Sequence, residues 1–514
     1  MWCILLLAFL SEYYQFYLMT QVIIFADTRG LRSLGPYRIA SEIRQAGFSC
    51  QIISFINFFN HEELEKICNK FITSETLLVG FGTTFWYEDL SPYKFIIDTI
   101  CKINPNIKMI SGGPNAERFS VKINRKLDAI FLGQADYIII KYLQHIVNGN
   151  TLPAPTRIRE KWVISPVPVY ELLDITKEWD FNHSQTMYVS EDCISPGEPL
   201  VLEVARGCIF KCKFCSFPLT GKKKLDHIKY AETLYEELIR NYQNHGTHHY
   251  ILSDDTFNDS LEKLKILKEV FLSLPFKLTF SCYARLDLLN AHKEEIELFE
   301  EMGMTGVNFG VESFHDKAAK FIGKGISGET AKNLLYDLKH KYWKNRIKVA
   351  IGLIQGIPYE TYDSYEKTLN WVLDESNLIE TILPAPLIII DPKASLLPYD
   401  SEFTINANKY GFYWLDNESE GWKNMTGPVK SYKEATKLSN QINDACVKTK
   451  RTNLSGGGFA LSRFYMFSTY SDDPKNFNEL MSMDRIACHN YMEKNELQNH
   501  RNFMKWYKFQ LFNL

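Results

Sequence analysis

The chain alternates short β-branched runs with amphipathic stretches of helical period, twice over, which restricts it to parallel-sheet α/β architecture. The first series starts at Gln21. Val22 to Phe25 reads as a buried strand, followed by a helix from Pro36 to Gln45 with proline in its first turn and Gly47 beyond its end. Ile52 to Phe55 is the next strand, and Asn60 with Glu63 forms a capping pair that opens the helix of Leu64 and Ile67. Further strands are expected over Leu77 to Val79, Lys108 to Ser111 and Ala129 to Leu132, and a helix from Tyr137 closes near Gly149. Five strands with intervening helices predict a Rossmann-like, doubly wound parallel sheet over residues 19–150.

Periodicity is then lost over 151–195, where Pro153, Pro155, Pro166 and Pro168 gather, and the segment reads as a surface linker. The second series begins at Leu200. Strands are expected at 200–205, 249–253, 277–282, 306–310, 347–353 and 380–390, separated by helices at 230–244, 260–273, 293–302, 327–344 and 361–375. Six such units over 196–395 make a curved parallel sheet, either an open partial barrel or most of a closed one. Beyond residue 395 the pattern weakens, with Phe412, Tyr413, Trp414, Trp422 and a Gly456-Gly457-Gly458 triplet, and 396–514 is expected to form a small C-terminal domain. A length of 514 residues, beyond one typical core, agrees with several domains.

Composition narrows the partners. With a net charge of −3 and a pI near 6.5 there is no basic excess to argue for a nucleic acid or an anionic membrane, and the Lys222-Lys223-Lys224 run reads as a solvated face. The nine apolar residues Trp2 to Leu10 fall short of the roughly 20 that a membrane span needs. They also lack the basic leader of a signal peptide, so residues 1–18 read as an extension or a mis-set start, with Met19 opening onto the first strand. Eleven cysteines, an odd number spread along a long chain, do not resemble a secreted disulfide framework. Three of them fall within eight residues, which suggests thiolates kept reduced for metal binding in a cytoplasmic setting.

That triad is Cys208-Ile-Phe-Lys-Cys212-Lys-Phe214-Cys215, immediately after the strand Val201 to Ala205. Soft thiolates in so short a loop favour iron–sulfur or zinc. Structural zinc normally takes four protein ligands with paired arms, and no second arm is evident here. A cubane on three cysteines leaves one iron to another ligand. Three buried free cysteines, packed as small hydrophobes, are the bland reading.

The C-x-x-x-C-x-aromatic-C pattern, with Phe214 as the aromatic, resembles the signature of the radical S-adenosylmethionine (SAM) superfamily. The resemblance implies a partial barrel carrying a [4Fe–4S] cluster. The open iron would be chelated by the amino and carboxylate groups of SAM, which the reduced cluster cleaves to methionine and a 5′-deoxyadenosyl radical. It also implies roles at the following strand ends. Asp254 and Asp255, in Ser253-Asp254-Asp255-Thr256-Phe257, stand where the family binds the amino end of SAM, although the usual Gly-Gly-Glu is absent. Arg285 would clamp the cofactor carboxylate. Glu312, in Phe309-Gly310-Val311-Glu312-Ser313, would contact the ribose or amino group, and the Gly352 to Pro358 segment, with Gly356 and Ile357, would pack against adenine. Taken singly, each could be a helix cap, a structural charge or a turn. Successive strand ends are where parallel α/β folds bind ligands.

A Rossmann-like domain before such a barrel resembles the cobalamin-binding branch of the superfamily. The matching segments are Gly80-Phe81-Gly82-Thr83-Thr84, Ser111-Gly112-Gly113-Pro114 and Gly133-Gln134-Ala135-Asp136. Small residues there would let backbone amides approach a bulky ligand. The D-x-H-x-x-G histidine of many cobalamin proteins is missing, because the first loop reads Asp27-Thr28-Arg29-Gly30-Leu31. The expectation is an enzyme that abstracts hydrogen from a substrate carbon and, with cobalamin, transfers methyl to that carbon or rearranges it. The substrate is a small molecule or a peptide, and the reductant a ferredoxin or flavodoxin. A cobalamin-independent radical enzyme and a non-catalytic zinc or iron–sulfur module are the other readings. A methylthiotransferase is disfavoured, since no second cysteine triad occurs in the N-terminal domain.

Overall fold

The computed structural model describes residues 20–514 apart from 28–29, 84–88, 161–162, 173–178, 216–224, 226, 392–400, 416–420 and 472–473. The expected extension at 1–18, Met19, Thr84 and the lysine run at 222–224 lie outside the described residues. The chain forms two compact units. One comprises the described residues up to Ile194 together with Trp506–Leu514, the other those from Ser195 to Lys505.

The first unit is built on strands β1 (Val22–Ala26), β2 (Cys50–Ile53), β3 (Leu78–Gly82), β4 (Lys108–Gly112), β5 (Ala129–Gly133), β6 (Arg157–Arg159) and β7 (Val167–Leu172). They lie in the order β2-β1-β3-β4-β5-β7-β6, parallel except for β6 against β7. Every residue of β1 is buried, as a strand covered on both faces by helices requires. Chain direction outward from β1 reverses between β2 and β3, which creates a switch point at the carboxyl ends of β1 and β3. The Asn60–Glu63 capping box opens the helix His61–Phe71 as its sequence indicates.

Two differences from the sequence reading concern the ends of this unit. Residues 151–195 are not a connector lying over the surface, since β6 and β7 extend the sheet from them. Proline is tolerated at Pro168 because β7 is flanked by a three-residue edge strand, where a missing N–H disturbs little. Downstream, Asp192 is fully buried and paired with Arg44 at 2.7 Å, while Arg32 donates to the carbonyls of Asp192 and Cys193. The last residues of the chain also belong here. The Tyr507 hydroxyl accepts from Ser54 N–H at 3.0 Å, its ring meets Phe55 edge-on, and Lys508 pairs with Glu63.

The second unit carries β8 (Leu200–Glu203), β9 (His249–Ser253), β10 (Thr279–Ala284), β11 (Met304–Glu312), β12 (Lys348–Gln355) and β13 (Thr381–Pro386), all parallel and in sequential order. With β8 and β13 at its edges, the sheet is an open partial barrel. Most of the segment beyond 395 is part of this unit and not a separate domain. Phe403, Phe412 and Trp422 share a core with Ile357, Leu387 and Ile389, and the Trp422 indole donates to the Leu387 carbonyl at 2.7 Å. The triglycine lies against the inner faces of the strands. Gly457 N–H donates to Thr381 Oγ1 at 3.2 Å, Ser281 Oγ donates to the Gly458 carbonyl, and any side chain at Gly458 would collide with Asn308. No helix among the described residues is long and apolar enough to cross a membrane.

Candidate active site

The cysteine loop leaves the carboxyl end of β8 and is fastened from three sides. Cys208 Sγ lies 3.2 Å from Thr256 Oγ1, beyond β9, and accepts from Phe210 N–H at 3.4 Å. Burial pushes the Cys208 thiol above its ordinary range, and these two hydrogen bonds oppose the shift. Cys212 Sγ accepts from Arg285 Nη1 at 3.3 Å, and Cys215 N–H donates to the Cys212 carbonyl at 3.0 Å. From the far side, Lys213 N–H donates to the Ile322 carbonyl, and a Cβ at Gly323 would stand 3.6 Å from Cys212 Cα. Donors turned on the sulfurs suit thiolates. Among the described residues no group of three or more His, Cys, Asp or Glu side chains is arranged around a single metal ion. A cubane makes a different demand, taking each thiolate on a separate iron at one loop.

Arg285, just after β10, is a fastener of this loop. Its guanidinium bridges Asp287 through Nε and Nη2, reaches the Gly323 carbonyl at 2.8 Å as well as Cys212, and covers the Phe210 ring at 4.0 Å. Its donors therefore face the protein, not an open carboxylate position.

Glu312 ends β11 in a left-handed conformation, φ +67°, where the register with β12 shifts. Such strain in a non-glycine residue persists only where the surroundings fix it, and it accompanies functional sites. The carboxylate lies over two glycines. A side chain at Gly310 would collide with Glu312, and one at Gly352 would begin 3.6 Å from Glu312 Oε2. Lys324 lies 3.4 Å away and donates to the Gly310 carbonyl. Burial raises the Glu312 carboxyl above its usual range, and Lys324 opposes the rise. The result is a largely buried acceptor over Gly310, where any Cβ would collide with it.

The remaining expected residues divide. Asp255 is exposed close enough to Cys208 for its charge to raise that thiol, after burial. Asp254 is turned inward, accepting from Thr256 N–H and from Lys263 Nζ at 2.9 Å, with both side chains fully buried. Its carboxylate is occupied by protein. Ile357 is 1 % exposed within the Trp422 core, against which Phe214 packs, so its side chain faces that core and not a ligand. Gly356, φ +96°, lets the Trp422 ring approach to 3.1 Å of where a Cβ would stand. Residues that sequence reasoning passed over are Thr256, Asp287, Gly323 and Lys324. The Gly323-Lys324-Gly325 run after a short helix was the visible signal for the last two.

In the first unit the expected segments meet at the carboxyl ends of β3, β4 and β5. Thr83 donates through both N–H and Oγ1 to the Gly112 carbonyl at 2.9 Å, and Gly113, φ +108°, brings its backbone against Thr83. Gly112 is open, because a Cβ there would meet nothing nearer than the Phe131 carbonyl at 3.9 Å. Gly133, φ +77°, is exposed at the end of β5. Gly82 has a packing reason, since a Cβ would stand 2.8 Å from Pro36 Cγ. The Ser111 hydroxyl faces inward to the Ala116 carbonyl, and Asp27 is buried and accepts from Asn57. What remains on the sheet edge is a glycine-lined rim of backbone.

Residues 202–372 match the model of the radical SAM superfamily. The chain therefore contains a radical SAM domain within its second unit. It is similar to an uncharacterized methyltransferase of Pyrococcus horikoshii, with 24% identity over 366 residues covering 66% of this chain and 72% of the relative. Among solved structures its fold resembles TsrM of Kitasatospora setae, a radical SAM methyltransferase with cobalamin and a [4Fe–4S] cluster bound. The TM-score is 0.58 at 14% identity, over 78% of this chain and 82% of that one. It also resembles OxsB, a cobalamin-dependent SAM radical enzyme, with a TM-score of 0.59 at 13% identity over 96% and 80% of the two chains.

Proposed function

We propose that this protein is a cobalamin-dependent radical SAM methyltransferase acting at a substrate carbon. The observation that carries the reading is the cysteine loop at the end of β8 together with the largely buried Glu312 carboxylate over Gly310 at the end of β11. When bound, the cluster supplies the electron that cleaves SAM, and cobalamin supplies a carrier for the methyl group. Cys208, Cys212 and Cys215 hold the cluster. Thr256 and Arg285 orient the first two sulfurs by hydrogen bonds. Glu312 accepts a hydrogen bond from SAM at its ammonium or ribose, and Gly310 and Gly352 keep that position open. The backbone rim of Thr83, Gly112, Gly113 and Gly133 admits the corrin. The first loop, Asp27 to Leu31, has no histidine that would ligate cobalt, so the backbone rim would hold the corrin without one from that loop. A cytoplasmic enzyme fits thiolates that must stay reduced.

Anaerobic purification, reconstitution with iron, sulfide and hydroxocobalamin, and metal analysis after desalting test the whole reading. Near four iron and one cobalt per chain are expected. Cluster without cobalt would leave a radical enzyme independent of cobalamin, and zinc at unit stoichiometry would overturn the radical reading. Glu312→Gln should weaken SAM binding about 10- to 100-fold, the worth of a hydrogen bond to a charged group, with iron content unchanged. Unchanged SAM affinity would remove Glu312 from the site.

A further inference from the structure

Reduction of a cluster on Cys208, Cys212 and Cys215 needs an electron donor that reaches it, and the surface over Cys212 has its own character. The exposed backbone at Gly323 covers this cysteine. A Cβ there would lie 3.6 Å from Cys212 Cα and 3.9 Å from Sγ, so among the described residues the Gly323 backbone lies directly against the loop at that point. Around it stand lysines. Lys211 and Lys320 are exposed, Lys213 holds the Phe321 carbonyl at 2.6 Å, and Lys317 lies 4.2 Å over the Tyr359 ring. Lys409 stands over Tyr410. The rings form one raft, since Phe321 meets Tyr359 at 4.9 Å and Tyr410 at 5.7 Å, and Tyr359 is 44% exposed. Two carboxylates stand among these five lysines and keep their charge, Asp316 and Glu402, the latter 4.0 Å from Lys409, so the lysines outnumber them. Glu402 accepts from the Tyr410 hydroxyl, and Asp316 from Gly328 N–H.

Five lysines around three aromatic rings make a local basic surface on a chain whose net charge is −3. Aromatic side chains with a cationic rim are the composition of a transient protein contact. We infer that this face docks a small acidic one-electron carrier protein of the ferredoxin kind, placing its redox centre over Gly323 and Cys212. The inference rests on the proposed radical chemistry. In the step it serves, one electron leaves the reduced carrier and one enters the oxidised cluster, and no bond or proton is exchanged. Complementary charge would act on encounter, where steering raises association rates and weakens as salt screens it.

The test uses the reconstituted full chain and an acidic ferredoxin. Binding is measured by titration at low and high ionic strength, and SAM cleavage is followed with either reduced ferredoxin or dithionite as donor. A Lys211→Glu/Lys317→Glu/Lys320→Glu variant should bind ferredoxin at least about tenfold more weakly at low salt and lose most of its salt dependence. Its ferredoxin-driven cleavage should fall likewise, while dithionite-driven cleavage stays at the wild-type level. Ferredoxin binding and salt dependence equal to wild type would overturn the docking surface. Failure of dithionite to support cleavage in wild type would instead overturn the radical reading, and the binding titration would still decide the docking.

Discussion

Two sets of strand ends, one in each unit, follow the same topological rule and are equipped in opposite ways. In the second unit they carry soft sulfur, a guanidinium and a strained carboxylate, each held by named partners. In the first they carry glycine, carbonyls and a threonine hydroxyl turned onto its own backbone. Reactive iron and a sulfonium cofactor require particular ligand atoms. A broad, flat ligand requires room and backbone approach. The first kind of site declares its chemistry in residue types, and the second declares only a shape.

The largest effect that separates them is all-or-none. Cys212→Ala should abolish cluster assembly and SAM cleavage, since it removes one of three local sulfurs and the acceptor of Arg285. Iron and sulfide analysis with chromatography for 5′-deoxyadenosine measures both, and full loading with full cleavage would break the assignment. Cobalamin uptake by the first unit should survive this change.

The reverse experiment is Gly112→Trp. A Cβ there meets nothing nearer than 3.9 Å, so the fold should lose about 1 kcal/mol, the centre of the range for point substitutions. Cobalt retention after hydroxocobalamin reconstitution should nonetheless disappear while four iron remain. Cobalt retained at the wild-type ratio would show that the corrin lies elsewhere.

How far each site was legible follows from the same contrast. Thiolate spacing is local, so the cluster loop could be read without a fold, and Glu312 stood out as a carboxylate at a strand end. Asp254 looked equally suitable. Its true partner, Lys263, is nine residues away on the next helix, and a lysine in a helical pattern gives no sign of pointing inward. Arg285 likewise reaches Cys212 and Gly323 across long sequence separations that no local pattern records. Strands β6 and β7 were hidden by proline, and the triglycine by having no side chain to interpret until Asn308 and Thr381 were seen against it. Strand–helix alternation, by contrast, followed from hydrophobic period alone.

A smaller effect sharpens the distinction between ligand and scaffold within the second unit. Asp254→Asn should destabilise by about 3 kcal/mol, the lower end for breaking a buried ion pair, because Lys263 keeps Asp259 at 2.8 Å. SAM affinity, measured below the unfolding transition, should stay within about twofold, far less than a lost charged hydrogen bond would cause. Urea unfolding and a SAM titration separate the outcomes. Unchanged stability with weakened SAM binding would return Asp254 to the cofactor.

The smallest effect concerns a buried carboxyl with no cation paired to it among the described residues. Glu360, 4% exposed after β12, accepts from Ser313 Oγ and so ties the loop after β12 to the loop after β11, one residue beyond Glu312. In the first unit the buried Asp192 has the Arg44 guanidinium instead. Burial pushes the Glu360 carboxyl up to about 7 from 4.5, against the lowering hydrogen bonds of Ser313 and Tyr365. Because the folded value lies above the unfolded one, its contribution is fully present below pH 4.5 and is lost as pH rises to about 7. The loss is bounded by about 3 kcal/mol, from 1.36 kcal/mol for each unit between the two values. Glu360→Gln keeps an acceptor for Ser313 and cannot ionise. Urea midpoints of the two proteins should therefore diverge between pH 5 and pH 8, with the variant gaining relative to wild type as pH rises. Glu295, raised to about 7 by burial, is present in both proteins and cancels in the difference. Parallel profiles would show that Glu360 titrates near its ordinary value, with a water or cation compensating its burial.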